Sequence, residues 1–147
     1  MLYFAYGSNL NHHQMKKRCK GSKYLKKYTL NGHKLIFSHK TKDTIYGHAN
    51  IIKNKNSRVF GALWDINKKD ESELDGYEGV DYDYYQKEYF SLRGKKVLVY
   101  IQSKYIKKKP HSRYLHTIVQ GYKDCKLDIN YLKKRIFYYT INYPVRW

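Results

Sequence analysis

The chain has 147 residues, of which 41% are hydrophobic and 29% charged, so one folded domain is predicted and a wholly disordered chain is excluded. It contains no long apolar run, and Met1 to Leu10 lacks a basic segment and a small-residue cleavage site. We therefore expect no signal peptide, no membrane-spanning helix and a cytoplasmic location. Cys19 and Cys125 are too few and too far apart for a disulfide framework or a zinc motif, and are expected to be ordinary thiols.

The net charge of +18 comes from lysine, with 24 Lys against 6 Arg. Lys, Tyr, Asn and Ile are all abundant and share A/T-rich codons, which favours a solvated lysine-rich surface produced by base composition. Nucleic acid is not expected as a partner despite the basic charge, because nucleic-acid sites more often use the forked guanidinium of Arg. Seven of the twelve acidic residues lie between Asp70 and Asp83, where there is no Lys or Arg. This local reversal of charge singles out the segment.

The first half of the chain reads as strands and turns. A short buried strand is predicted from Leu2 to Tyr6, followed by a turn and a short helix that Asn9 or Asn11 caps and that runs through Arg18. Residues 24–30 and 33–38 flank Asn31-Gly32, the strongest signal for a hairpin with a type I′ turn. The sequence therefore predicts a hairpin here.

The second half changes from strands to helices. A buried strand is predicted at 59–66, and a helix from Asn67 or Asp70 to Tyr77 with acids in its first turn. Residues 85–92 and 95–102 suggest a second hairpin about Arg93-Gly94, although its turn signal is weaker. After Pro110, helical spacing predicts a helix that ends near Gly121 and another, capped by Asp128, through about Tyr138. The order predicts an α+β fold in one domain, 1–147, whose strands curl into a small mixed β-barrel with flanking helices.

Two segments could carry chemistry. In Tyr6-Gly7-Ser8-Asn9-Leu10, a strand ends in small polar residues whose N–H groups could bind an anion. From local physics alone, an ordinary capped turn is favoured there, because one Gly is too few for a nucleotide-binding loop.

The second segment is Asp75-Gly76-Tyr77-Glu78-Gly79. Gly76 and Gly79 permit sharp turns, and partial burial of Glu78 among neighbouring tyrosines would raise its pKa towards the range of a general base. Asp70, Glu71 and Glu73 are expected to form a solvated helix end. A metal site is a further option, but calcium-loop spacing and a neighbouring His are both missing. A triad of Ser8 with a distant His lacks the nucleophile-elbow pattern.

Three motifs together resemble the γ-glutamylcyclotransferase-like (AIG2-like) family. The first is Tyr3-Phe4-Ala5-Tyr6-Gly7-Ser8-Asn9-Leu10. The second is Val59-Phe60-Gly61-Ala62-Leu63-Trp64 followed by Leu74-Asp75-Gly76-Tyr77-Glu78-Gly79-Val80. The third comprises the C-terminal residues Pro110, Ser112, Tyr114, Leu115, Ile118 and Gly121.

The resemblance implies a small mixed barrel and an enzyme that cleaves a γ-glutamyl amide, releasing 5-oxoproline and an amine without a metal or cofactor. The substrate's own α-amine would attack its γ-carbonyl. The family's general acid/base falls on Glu78, and its pocket tyrosines fall on Tyr85 and Tyr114. Its substrate loop falls on Tyr6, Gly7, Ser8, Asn9 and Leu10.

Some questions stay open at the level of sequence. Residues 122–126 replace a small-residue, Gly-Leu-Pro-like stretch of the family, which leaves the leaving amine unassigned. The amine could be an amino acid, a simple amine or a larger group such as a lysine side chain. The alternative function is a non-catalytic module that binds a small metabolite, a protein or nucleic acid. The oligomeric state, monomer or homodimer, is not indicated.

Overall fold

A computed structural model describes residues 1–147 as six strands and four α-helices. In chain order these elements are β1 (Leu2–Ala5), α1 (His12–Arg18), β2 (Lys23–His39), β3 (His48–Asp65), α2 (Lys68–Tyr77), β4 (Gln86–Leu92), β5 (Lys95–Ile101), β6 (Ile106–Lys107), α3 (Ser112–Asp124) and α4 (Ile129–Phe137). None of the helices is both long and apolar enough to cross a membrane.

The strands form one mixed sheet in the order β4-β5-β1-β3-β2-β6, curled into a half-barrel. The central strand β1 is antiparallel to β3 and parallel to β5. The chain after Ala5 therefore leaves the sheet between β3 and β5, and this fixes where the loop that follows can lie. The predicted α+β class is confirmed.

The hairpin predicted at Asn31-Gly32 is wrong. β2 continues through this dipeptide and pairs with β3 on both sides of it. The pairing shifts at this point, so that Gly32 alone faces residues 54–57. Gly32 has the left-handed φ of +77° that the dipeptide favours, but the chain uses it for an irregularity within a long strand. The reversal between β2 and β3 comes later, in residues 40–47.

The hairpin predicted at Arg93-Gly94 is confirmed. β4 and β5 pair antiparallel up to Leu92 opposite Lys95. Arg93 and Gly94 have φ values of +50° and +78°, as a type I′ turn requires at both central positions. Arg93 thus takes a conformation that asparagine adopts more readily.

The predicted helices are confirmed, and side chains cap their first turns. Asn11 accepts from the N–H of Gln14 at 2.9 Å at the start of α1. Asn67 and Asp70 form a reciprocal capping box on α2. Asp128 caps α4. Helix α3 continues three residues beyond the predicted end at Gly121, since it ends at Asp124.

One continuous core fills the space between the sheet and the helices, with Phe4, Trp64 and Tyr122 among its largest fully buried side chains. Both cysteines are free thiols buried within it. The Cys19 thiol donates to the carbonyl of Asp70 and the Cys125 thiol to that of Leu10. Burial raises the pKa of each thiol to about 12.

Candidate active site

A cavity of about 170 Å³ opens where the end of β1, the end of α2, the start of β3 and the start of α3 meet. Its lining is rich in tyrosine and contains one carboxylate and one guanidinium. The lining residues are Tyr3, Tyr6, Gly7, Ser8, Asn9, Gln14, Arg18, His48, Ala49, Tyr77, Glu78, Tyr84, Tyr85, Tyr100 and Tyr114.

The loop after β1 forms one wall of this cavity through a single turn of 3₁₀ helix at Ser8–Leu10. The N–H groups of Leu10 and Asn11 donate back to the carbonyls of Gly7 and Ser8 at 3.1 and 3.0 Å. The N–H of Gly7 has no partner within the protein, as is usual for the first groups of a helical turn. A Cβ on Gly7 would lie 2.9 Å from the Cβ of Ala49, so only glycine fits without a shift. The loop can thus present backbone N–H groups to an anion.

The amide of Asn9 connects this loop to Glu78. Its Oδ1 accepts from Gln14 Nε2 at 3.1 Å and from Arg18 Nη1 at 3.2 Å. Because a guanidinium can only donate, this contact fixes which end of the amide is oxygen. The Nδ2 therefore faces the other way, 3.0 Å from Tyr3 Oη and 3.4 Å from Glu78 Oε1.

Glu78 lies at the C-terminal end of α2, where its N–H still donates to Leu74 at 2.8 Å. Gly79 follows with a left-handed φ of +64° and turns the chain away from the helix axis. The residue is only partly covered, because it lines an open cavity, but protein surrounds its carboxylate. Burial raises the pKa of Glu78 to about 7, against the smaller opposing effect of the Arg18 cation. Near neutral pH the carboxylate can accept a proton and the carboxylic acid can return it.

Two tyrosines complete the wall through the backbone of Ala49. Tyr85 Oη donates to its carbonyl at 2.5 Å, and Tyr114 Oη accepts from its N–H at 2.8 Å. Burial raises the pKa of both phenols, so both stay protonated. Tyr85 thus donates its hydroxyl hydrogen to the backbone, whereas Tyr114 accepts there and keeps its own hydroxyl hydrogen, and both side chains line the cavity.

Seven of the eight site residues predicted from sequence line this one cavity. The exception is Leu10, which is fully buried in the core, where a Cβ on Gly121 of α3 would lie 2.6 Å from its own Cβ. Leu10 therefore anchors the loop to α3. Sequence reasoning missed Gln14, Arg18 and His48. The first two lie one helical turn apart on α1, and the cap at Asn11 could have indicated that they face the loop.

The acidic segment is largely structural. Asp70, expected to be solvated, is instead buried, where it accepts from the N–H groups of Asn67 and Gly21. Lys87 of β4 binds Glu71 at 2.6 Å and Asp75 at 3.1 Å. The acids thus fasten α2 to the sheet and fix the helix end from which Glu78 projects. No group of three or more His, Cys, Asp or Glu side chains is arranged to hold a metal ion.

Comparisons with known proteins indicate the family and the fold. Residues 58–134 match the model of the AIG2-like family. The chain is 32% identical to a γ-glutamylcyclotransferase of Bos taurus and 30% identical to one of Homo sapiens, in each case over 90% of this chain and 76% of the relative. A solved structure of a γ-glutamyl cyclotransferase superposes with a TM-score of 0.80 at 28% identity, over 99% of this chain and 91% of that one. YkqA of Bacillus subtilis shares the fold, with a TM-score of 0.73 at 19% identity over 94% of this chain and 54% of that one.

Proposed function

The chain belongs to the γ-glutamylcyclotransferase-like (AIG2-like) family, and from this premise we propose that it cleaves a γ-glutamyl amide into 5-oxoproline and a free amine. The observation that carries the proposal is the position of Glu78. Its carboxylate, with a pKa near neutrality, lies in the same cavity as the Gly7–Asn9 loop and touches Asn9. A γ-glutamyl group has an α-carboxylate for such a loop and an α-amine for such a base.

In the proposed reaction the loop holds the α-carboxylate, and the uncharged α-amine attacks the γ-carbonyl carbon and closes a five-membered ring. Glu78 takes one proton from the attacking nitrogen as this bond forms. The bond from that carbon to the departing nitrogen breaks, and Glu78 returns its proton to that nitrogen. Atoms balance without water, metal or cofactor. Because the attack is intramolecular, positioning supplies much of the rate.

The test is release of 5-oxoproline from a panel of γ-glutamyl compounds by the wild type and by Glu78→Gln. Loss of a general acid/base should lower kcat by roughly 10²–10⁴-fold. Glu73→Gln is the matched control, because Glu73 is an exposed residue of the same helix. Equal turnover by the wild type and Glu78→Gln would remove Glu78 from this role. The same panel, extended to γ-glutamyl groups on larger amines such as lysine side chains, separates the substrate classes.

A second function, binding of a phosphate-rich polyanion, is favoured by a separate cavity of about 520 Å³. Five cationic side chains and no acidic one line it: Lys34, Lys107, Lys108, Lys109 and Arg135. The Nε of Arg135 is buried there without an acceptor. Binding of a single-stranded oligonucleotide should then weaken steeply as salt is raised. A flat response, or no binding at physiological salt, would leave the enzyme proposal alone.

A further inference from the structure

His48 is a polar group of the active-site cavity that the proposed reaction does not use. It is the first residue of β3 and lines the same cavity as Glu78. Its ring stands edge-on to two tyrosines, with centroids 5.6 Å from Tyr84 and 4.9 Å from Tyr114. Packing on two sides holds the imidazole in one orientation.

The hydrogen bond to Tyr84 favours one imidazole tautomer, because a phenol O–H is a stronger hydrogen-bond donor than a neutral imidazole N–H. His48 Nδ1 lies 2.6 Å from Tyr84 Oη. Burial raises the pKa of Tyr84 to about 12, so the phenol keeps its proton and can donate it. Burial, with His39 and Arg18 nearby, lowers the pKa of His48, so the ring is neutral near pH 7. A neutral imidazole that accepts at Nδ1 carries its hydrogen on Nε2.

The Nε2–H is free to meet a ligand. It makes no hydrogen bond within the protein and is not among the buried polar atoms that lack a partner, so it is open to solvent. Glu78 has Asn9 as its partner and His48 has Tyr84, and no hydrogen bond joins the two groups. Because both line one cavity, both can contact a single bound molecule. If the glutamyl half of the substrate lies between the loop and Glu78, the wall formed by His48 and Tyr84 remains for the leaving amine.

We propose, resting on the proposed function, that His48 is a specificity-determining residue whose Nε2–H donates a hydrogen bond to an oxygen of the leaving amine. The site should then favour leaving amines that carry a carboxylate over plain alkylamines of the same shape. Tyr84 is the positioning residue, because its hydroxyl fixes which imidazole nitrogen carries the hydrogen.

The experiment measures kcat and KM for three substrates with one carbon skeleton: γ-glutamyl-alanine, γ-glutamyl-alaninamide and γ-glutamyl-isopropylamide. The wild type should prefer them in that order. His48→Leu should reduce the preference for the alanine compound over the isopropylamide by about 10- to 100-fold, the value of a hydrogen bond to a charged group. His48→Gln, which keeps an N–H donor, should restore part of the preference. Tyr84→Phe should reduce it although the imidazole remains.

His13→Leu is the matched control, because His13 is exposed on α1, does not line the cavity, and should leave the preference unchanged. An unchanged preference in both His48 variants would overturn the inference. The inference would also be overturned if Arg18→Met lost the preference while the His48 variants kept it, since the Arg18 cation would then be the group that recognises the carboxylate. Absence of 5-oxoproline from all three compounds would instead overturn the proposed function, and this inference with it.

Discussion

Glu78→Gln should make the protein more stable while it lowers kcat. A carboxylate surrounded by protein is destabilising when ionised, because burial costs it the solvation that water provides. Glutamine has nearly the same shape and never ionises. The substitution therefore removes an energetic cost that the folded protein bears only while Glu78 is charged.

The size and sign of the effect follow from the pKa of Glu78, which is about 7 in the folded protein against an ordinary 4.5. Between these pH values the folded state keeps a proton that the unfolded chain has released. The free energy of unfolding therefore falls as pH rises through this window and levels off above about pH 7. The pKa difference is about 2.5, and each pKa unit corresponds to about 1.4 kcal/mol, so the free energy of unfolding should fall by about 3 kcal/mol across this window.

Urea unfolding of the wild type and Glu78→Gln at a series of pH values from 4 to 8 measures this difference. Every other titrating group is common to both proteins and cancels. The variant should exceed the wild type by up to about 3 kcal/mol above pH 7 and by little near pH 4.5. Glu73→Gln should show only the small effect of a surface substitution. A gap that stays constant with pH, or that narrows as pH rises, would refute the burial of this carboxylate.

Three further substitutions test a charge of the site and the packing of the helices around it. Arg18→Met should raise the pKa of Glu78 further, because it removes the cation that lowers this pKa, so the acidic limb of the pH profile of kcat/KM should move to higher pH. Lys17→Met on the same helix is the control. An acidic limb that does not move would show that Arg18 does not act on Glu78. Gly121→Ala should lower the free energy of unfolding by about 1–3 kcal/mol or more, because its Cβ would lie 2.6–2.7 Å from Leu10 and the chain next to it. In contrast, Gly76→Ala, with open space around it in α2, should raise stability by roughly 0.5–1 kcal/mol. Equal effects of the two alanines in thermal unfolding would contradict the packing of α3 on the loop.

The two glycine dipeptides show how far the sequence could predict the fold. Asn31-Gly32 gave the stronger hairpin signal and Arg93-Gly94 the weaker, yet only the second is a turn. Both glycines have the positive φ that the local sequence favours. What local sequence does not contain is the partner: β3 extends far enough to pair with β2 on both sides of Gly32, and this pairing outweighs the turn preference.

The same limit applies to the site. Glu78 and the loop were predicted from sequence because their motifs lie in short contiguous stretches, and the structure brings them to one cavity. His48 was missed because the predicted hairpin left residues 39–58 without an assigned strand. Without that strand there was no reason to place a histidine beside Tyr84 and Tyr114. Contacts that depend on the register of long strands lie beyond local reasoning.

The two buried thiols can report local opening of the protein through the rate at which they are chemically labelled. Cys19 follows α1 and Cys125 follows α3, so they lie beyond the ends of the two helices that flank the Gly7–Asn9 loop. Thiolate is the form that alkylating reagents attack, and a thiol with a pKa of about 12 supplies almost none at neutral pH. Each cysteine should therefore react only during the moments when its own helix detaches from the core. Labelling rates at the two positions, resolved by mass spectrometry, would report how often each side of the loop opens, without the introduction of any probe.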